Sequence, residues 1–231
     1  VSLRAIFFDA GNTLLRINYA DIAAALARLG VATTPEALQR AEWRARVRLD
    51  RDVLAHARST ERPSTHRRYL QYVLEGVGVT DGAIVDSMDA WRRDYPGPGG
   101  LWNTPDPDAG AALDAVRTAG LRSAVISNSN GTIRELVARL GFADRLDFVV
   151  DSAEEGVEKP DPRIFEIALA RAGVTAGEAA YIGDLYSIDV LGARRVGLRA
   201  VLLDPGRYWG ERDCDTGRSV LDAVRLLLGP R

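Results

Sequence analysis

A single cysteine, Cys214, has no intrachain disulfide partner and fits a reducing compartment. No apolar run approaches the roughly 18 residues needed to span a bilayer, and the first residues lack the pattern of a secretory signal. Charge of one sign is not in excess: the formal net charge is -2 at pH 7, with acidic and basic residues interspersed. That leaves no basic stripe of the kind that binds nucleic acid. The turn after the first apolar run lacks G-x-G-x-x-G, and G-x-x-x-x-G-K-[ST] occurs nowhere. These absences argue against a disulfide scaffold, a membrane-spanning helix and a phosphate-loop NTPase. The expectation is a cytoplasmic globular protein that acts on a small molecule, without nucleic-acid or membrane partners and of unread oligomeric state.

What is present is an ordinary globular composition, 46% hydrophobic and 27% charged over 231 residues, enough for a sizeable core with a smaller appendage. Five short apolar segments read as strands buried on both faces, because they are near-continuous rather than alternating. They are LRAIFF (3–8), LRSAVIS (121–127), LDFVV (146–150), AAYIG (179–183) and LRAVLLD (198–204). Helix-period stretches at 131–140, 161–172 and 187–196 lie between the later four and are closed by Gly141, Gly173 and Gly197. Further helices are expected at 106–119 and 219–228. This alternation implies right-handed crossovers and a parallel sheet, hence an α/β fold.

Between the first two strands the rhythm breaks. From Tyr19 to Tyr95 the pattern is helical, in DIAAALARLG, PEALQRAEWRARVRLDRDVLAHA, HRRYLQYVLEGVG and DGAIVDSMDAWRRDY. Thr33 or Thr34 before Pro35 reads as one helix start, and Asp81 as the cap of another. The Pro- and Gly-rich PGPGGLWNTPDPDAG then marks a boundary. The division expected is a core domain, 1–17 and 103–231, with a helical cap domain, 18–102, inserted after the first strand.

Ligands of open parallel sheets sit beyond the carboxyl ends of the strands. This sequence places chemistry there: Asp9 after the first strand, Ser127 and Asn128 after the second, Lys159 after the third, and Asp184 after the fourth with Asp189 five residues on. Singly, each has an ordinary role as a turn residue, a helix cap or a solvated charge. Four strand ends carrying one compatible set is what points to a site. Hard carboxylate oxygens suit Mg²⁺. A divalent ion and the Lys159 ammonium would bring three carboxylates near neutrality. The Ser127 hydroxyl and the amides of its turn suit phosphate oxygens. Asp9 is placed to attack phosphorus and form an aspartyl-phosphate.

In this order, FFDAGNTLL, VISNSNG, VEKPDPRIF and YIGDLYSIDVLGARRVG resemble the four motifs of the haloacid dehalogenase superfamily, along the length of the chain. The helical insertion resembles that superfamily's C1-type cap. The resemblance implies a Rossmann-like, three-layer core and Asp9 as nucleophile and Mg²⁺ ligand. It further implies metal binding by the Gly11 carbonyl and Asp184, support of the metal by Asp189, phosphate binding by Ser127, and neutralisation by Lys159. Gly11 departs from the family's phosphatases, which usually have a second Asp there as general acid and base. Acid–base help is worth about 10²- to 10⁴-fold, so simple alkyl phosphates should suffer, and Gly11→Asp is expected to raise their turnover.

Three explanations stand open: a substrate with a good leaving group, a proton from His56, His66 or Tyr19 of the cap, or binding without efficient turnover. Dehalogenases also lack the second Asp, which keeps a 2-haloacid dehalogenase reading open beside a phosphatase and a phospho-ligand-binding protein. Trp43 and Trp91 read as cap packing and Trp102 as bordering the pocket mouth. Arg16 and Tyr19 read as facing the substrate when the cap closes, and Tyr208 and Trp209 as packing.

Overall fold

The first apolar run is strand β1 (Ala5–Phe8), buried throughout, in a computed structural model that describes residues 2–56 and 59–229, with the side chains of 53–56 left aside. A two-residue strand, β2 (Leu15–Arg16), pairs antiparallel with β3 (Thr104–Pro105). Between them run α1 (Tyr19–Arg28), α2 (Pro35–His56), α3 (Pro63–Glu75) and α4 (Gly82–Arg93). The chain therefore enters and leaves this helical segment through one short ribbon. Thr34 starts α2 by accepting from Ala37 N–H at 3.2 Å, and Asp81 caps α4 by accepting from Ala83 N–H at 2.8 Å.

After β3 come α5 (Ala109–Thr118), β4 (Arg122–Ser127), α6 (Ile133–Arg139), β5 (Phe148–Asp151), α7 (Ser152–Glu155) and α8 (Pro162–Ala172). Then follow β6 (Ala179–Gly183), a π-helical turn (Tyr186–Val190) that runs into α9 (Leu191–Arg195), β7 (Arg199–Leu203), β8 (Asp215–Gly217) and α10 (Val220–Leu228). Six strands form a parallel sheet in the order β5-β4-β1-β6-β7-β8.

Strand alternation makes the layers. Ile6, Phe8, Val125 and Ile182 face α5, α6 and α10, while Ala5, Phe7, Ala124 and Tyr181 face α8 and α9. Burying each of the two phenylalanines contributes roughly 1.5–3 kcal/mol. The result is a Rossmann-like α/β fold with helices on both faces, as the sequence predicts. All five expected strands are present with trimmed ends. The edge strand β8 and the β2–β3 ribbon were not expected, because pieces of two or three residues carry no apolar run. Helices α1 to α4 share an apolar cluster that includes Leu26, Leu38, Leu74 and Met88, and Ile188 of the π-helical turn joins it. No described helix is long and apolar enough to cross a membrane.

Candidate active site

β1 is flanked by β4 and β6, so the residues after these three strands share one edge of the sheet. Asp9 follows β1 and is held down by its N–H, which donates to Ile182 O at 2.8 Å. Ser127 ends β4, Gly183 ends β6, and Asp184 follows. Lys159 joins them from the loop before α8. It is the chain's only lysine. Its Nζ donates to Asp9 Oδ1 at 2.6 Å, Asp189 Oδ1 at 2.8 Å and Tyr181 Oη at 2.9 Å, using all three ammonium protons. Tyr181 Oη in turn donates to Asp189 Oδ1 at 3.0 Å.

Asp189 comes from the π-helical turn, a local irregularity often found at functional sites. Its Oδ2 accepts from the N–H groups of Asp184 and Leu185 at 3.0 and 2.9 Å, folding the carboxylate over the end of β6. Gly183 is required there, since a Cβ at that position would fall on the Asp189 carboxylate. Carboxylate oxygens of Asp9, Asp184 and Asp189 lie within 4.8 Å of one another, all three residues buried.

Two residues of α2 complete the charge pattern. Arg46 Nη1 lies 3.5 Å from Asp184 Oδ2, and the same guanidinium grips Glu42 through Nε at 2.9 Å and Nη2 at 2.5 Å. Four buried carboxylates thus face two buried cations, leaving a formal excess of two negative charges. That excess is what a divalent cation would cancel. Burial pushes Asp9 up to about 6 against the pull of Lys159, and burial with neighbouring Asp9 and Asp189 holds Asp184 well above its ordinary value despite Arg46. Burial pulls the Lys159 ammonium down, but Asp189 and Asp9 outweigh it and keep it protonated.

A cavity of about 440 Å³ opens over Asp9, with Arg46, His66, Tyr69, Trp102, Leu136 and Ile188 on its walls. The Trp102 indole stacks on Tyr69 at 6.0 Å and donates through Nε1 to Asn12 Oδ1 at 3.2 Å. Asn12 sits at φ 56, a conformation asparagine tolerates, and its amide donates to Asp184 Oδ2 at 3.2 Å. Trp102 also occupies the space beside Gly11: a Cβ there would meet indole Cδ1 and Nε1 at 3.3 Å. Restoring an aspartate at this position therefore requires the indole to move.

Ser127 is buried and its hydroxyl donates only within its own turn, to Asn128 O at 3.3 Å. Asn128 also lines the cavity, yet its side chain is committed to the Lys159 backbone. It accepts from Lys159 N–H at 2.7 Å and donates to Lys159 O at 3.0 Å. Arg16 pairs with Asp106 at 2.6 Å, and the Tyr19 hydroxyl donates to Glu42 at 3.1 Å. Neither lines the cavity, although both had been expected to face a substrate. His66 does line it, with Nε2 3.9 Å from Glu61 Oε1, while the side chain of His56 lies outside the described residues. Trp209 is buried against the sheet, consistent with packing.

The structure thus brings together Asp9, Gly11, Ser127, Asn128, Lys159, Asp184 and Asp189 around one cavity. Sequence reasoning missed Asn12, Glu42, Arg46 and Tyr181. The i, i+4 spacing of Glu42 and Arg46 is a visible signal, but on a helix rich in arginine it reads as a solvated pair.

Comparison with known proteins agrees with this geometry. A family model described as haloacid dehalogenase-like hydrolase matches residues 3–197. The human haloacid dehalogenase-like hydrolase domain-containing protein 3 is 31% identical over 210 residues, covering 88% of this chain and 82% of that protein. A ribulose-1,5-bisphosphate 5-phosphatase of Halopiger xanaduensis is 34% identical over 208 residues, covering 87% and 84%. A crystal structure of a 2-haloacid dehalogenase from Pseudomonas syringae is 25% identical, with a TM-score of 0.56 over 98% of each chain. The chain is a member of the haloacid dehalogenase-like hydrolase family.

Proposed function

We propose that the protein is a Mg²⁺-dependent phosphatase that acts on a small phosphorylated metabolite through an aspartyl-phosphate. The observation that carries this is the carboxylate cluster with its uncancelled double negative charge, for which metal-free dehalogenation has no use. Phosphatases among the relatives support the same reading. In this reading 1–17 and 103–231 form the core domain, 18–102 form the cap, and the protein is cytoplasmic, in keeping with its single cysteine.

Asp9 and Asp184, with the Gly11 carbonyl, would hold the ion, whose chemistry is to neutralise phosphate oxygens as charge moves between attacking and leaving atoms. Asp189 supports it indirectly, since its oxygens already accept from Lys159, Tyr181 and two backbone amides. Lys159 keeps Asp9 aimed and shields the approach of an anionic phosphate. Ser127 Oγ and the amides of its turn receive the phosphate oxygens, and Asn128 fixes the backbone of Lys159.

The test is phosphate release from p-nitrophenyl phosphate, with Mg²⁺ or EDTA, by wild type and Asp9→Asn. Turnover that needs Mg²⁺ and disappears in Asp9→Asn is expected. Halide release from a 2-haloacid in EDTA would instead establish the dehalogenase reading. Tight phosphate-ester binding with no turnover would make the protein a binder.

A further inference from the structure

Arg46 is buried, 4% exposed, in a cage of its own. Nε and Nη2 are spent on both oxygens of Glu42, and Glu42 is fixed by the hydroxyls of Tyr19 and Tyr69. Nη1 is left over. Arg46 lines the cavity, and among the described residues its Nη1, itself buried, has no hydrogen-bond partner. Asp184 Oδ2, at 3.5 Å, attracts it electrostatically without satisfying it. A buried donor left unmade costs about 1–3 kcal/mol, more when charged, so its persistence points to an acceptor supplied from outside the chain.

Beside this donor the usual source of a proton is missing. Position 11 has no side chain, and the indole of Trp102 fills the neighbouring space. We propose that Arg46 is the leaving-group cation of this site: Nη1 donates to the substrate oxygen that departs from phosphorus and stands in by charge for the acid that Gly11 lacks. This rests on the phosphatase reading above. Asp9 forms its bond to phosphorus as the bond to the leaving oxygen breaks. That oxygen departs with the electron pair as an alkoxide or aryloxide beside the guanidinium and takes a proton from water. A second water then attacks the aspartyl-phosphate, releases inorganic phosphate, and gives up the proton that balances the first. The guanidinium never surrenders a proton of its own. Arg46 therefore softens the penalty of a basic leaving group without abolishing it. His66, another basic group on the wall, is 28% exposed, with Glu61 Oε1 at 3.9 Å and the Trp102 ring at 6.3 Å beside it.

The experiment compares kcat/KM for p-nitrophenyl, phenyl and simple alkyl phosphates with Mg²⁺. Arg46→Gln is paired with the double variant Glu42→Gln/Arg46→Gln, which removes both partners of the buried Glu42–Arg46 pair together should the single variant fail to fold. Loss of one preorganised donor predicts about a 10²-fold fall on alkyl phosphates and about tenfold or less on p-nitrophenyl phosphate. Added guanidinium ion restores part of the alkyl loss, and His66→Ala leaves the leaving-group dependence as in wild type. Equal losses across the series, an unchanged dependence in both Arg46 variants, or a steeper dependence in His66→Ala overturns the inference. No phosphate release by wild type from any ester sinks the phosphatase reading, and this inference with it.

Discussion

Gly11 and Trp102 act as one unit. The indole lies where a side chain at position 11 would go, and it is fixed there by its bond to Asn12 and its stack on Tyr69. Contrary to the gain that the sequence leads one to expect, Gly11→Asp alone should therefore lose stability, by about 1–3 kcal/mol for an overpacked site, and gain little on alkyl phosphates. Gly11→Asp combined with Trp102→Ala should turn over alkyl phosphates faster than Trp102→Ala alone, because only then can the carboxyl reach the leaving group. Melting temperature and kcat/KM across the four proteins of the cycle decide it. Equal alkyl-phosphate rates in the two Trp102→Ala proteins would show that acid catalysis is not what limits them.

At the scale of elements, the contact that matters is between α2 and the π-helical turn. Asp50 of α2 is buried, and its Oδ1 accepts from both the N–H and the hydroxyl of Ser187, at 2.8 and 2.6 Å. That turn carries Asp189, so Asp50 holds Asp189 in place from across the helical segment. Burial raises the Asp50 pKa, and the two bonds from Ser187 oppose the rise. Asp50→Asn keeps an acceptor for both donors and should melt close to wild type. Asp50→Ala strands both and should cost about 1–3 kcal/mol, seen as a lower melting temperature and a weaker response to Mg²⁺. Equal melting of the two variants would remove Asp50 from this role.

The five long strands and the helices after them were legible because continuous apolar runs and a 3.6-residue period report burial directly. The π-helical turn was not, since one extra residue in a turn leaves the period of YSIDVLGARR almost unaltered. The same divide runs through the site. Asp9, Ser127, Lys159, Asp184 and Asp189 could be placed because strand ends are fixed points. Glu42 and Arg46 could not, because periodicity shows which helix face is buried and not that a polar pair lies on it.

For the whole molecule, the uncancelled charge links stability to metal and pH. Burial pushes the Asp9 carboxyl up to about 6 from its ordinary 3.8. Between those values the folded state holds a proton that the unfolded chain has released, so rising pH through that window removes stability. If Asp9 is a metal ligand as proposed, Mg²⁺ would bind the ionised form and return the stability above pH 6. At one hundred times its dissociation constant the ion contributes about 2.7 kcal/mol, or a rise of roughly 5–10 °C in melting temperature for a chain of this size. The rise should shrink as pH falls below about 6, where Mg²⁺ must displace the Asp9 proton. Thermal melts with and without Mg²⁺ at pH 5 and 7.5 check this; an equal rise at both would mean that Asp9 is not a ligand.

The solitary, enclosed Lys159 makes the molecule its own gauge of opening. Every other cationic side chain is arginine or histidine, so an acylating reagent meets a single side-chain amine. In the closed fold that amine has no lone pair to offer, its three protons being engaged with Asp9, Asp189 and Tyr181. A covalent tag on Lys159 therefore records only the moments when this centre comes apart, and it does so with no probe engineered into the chain.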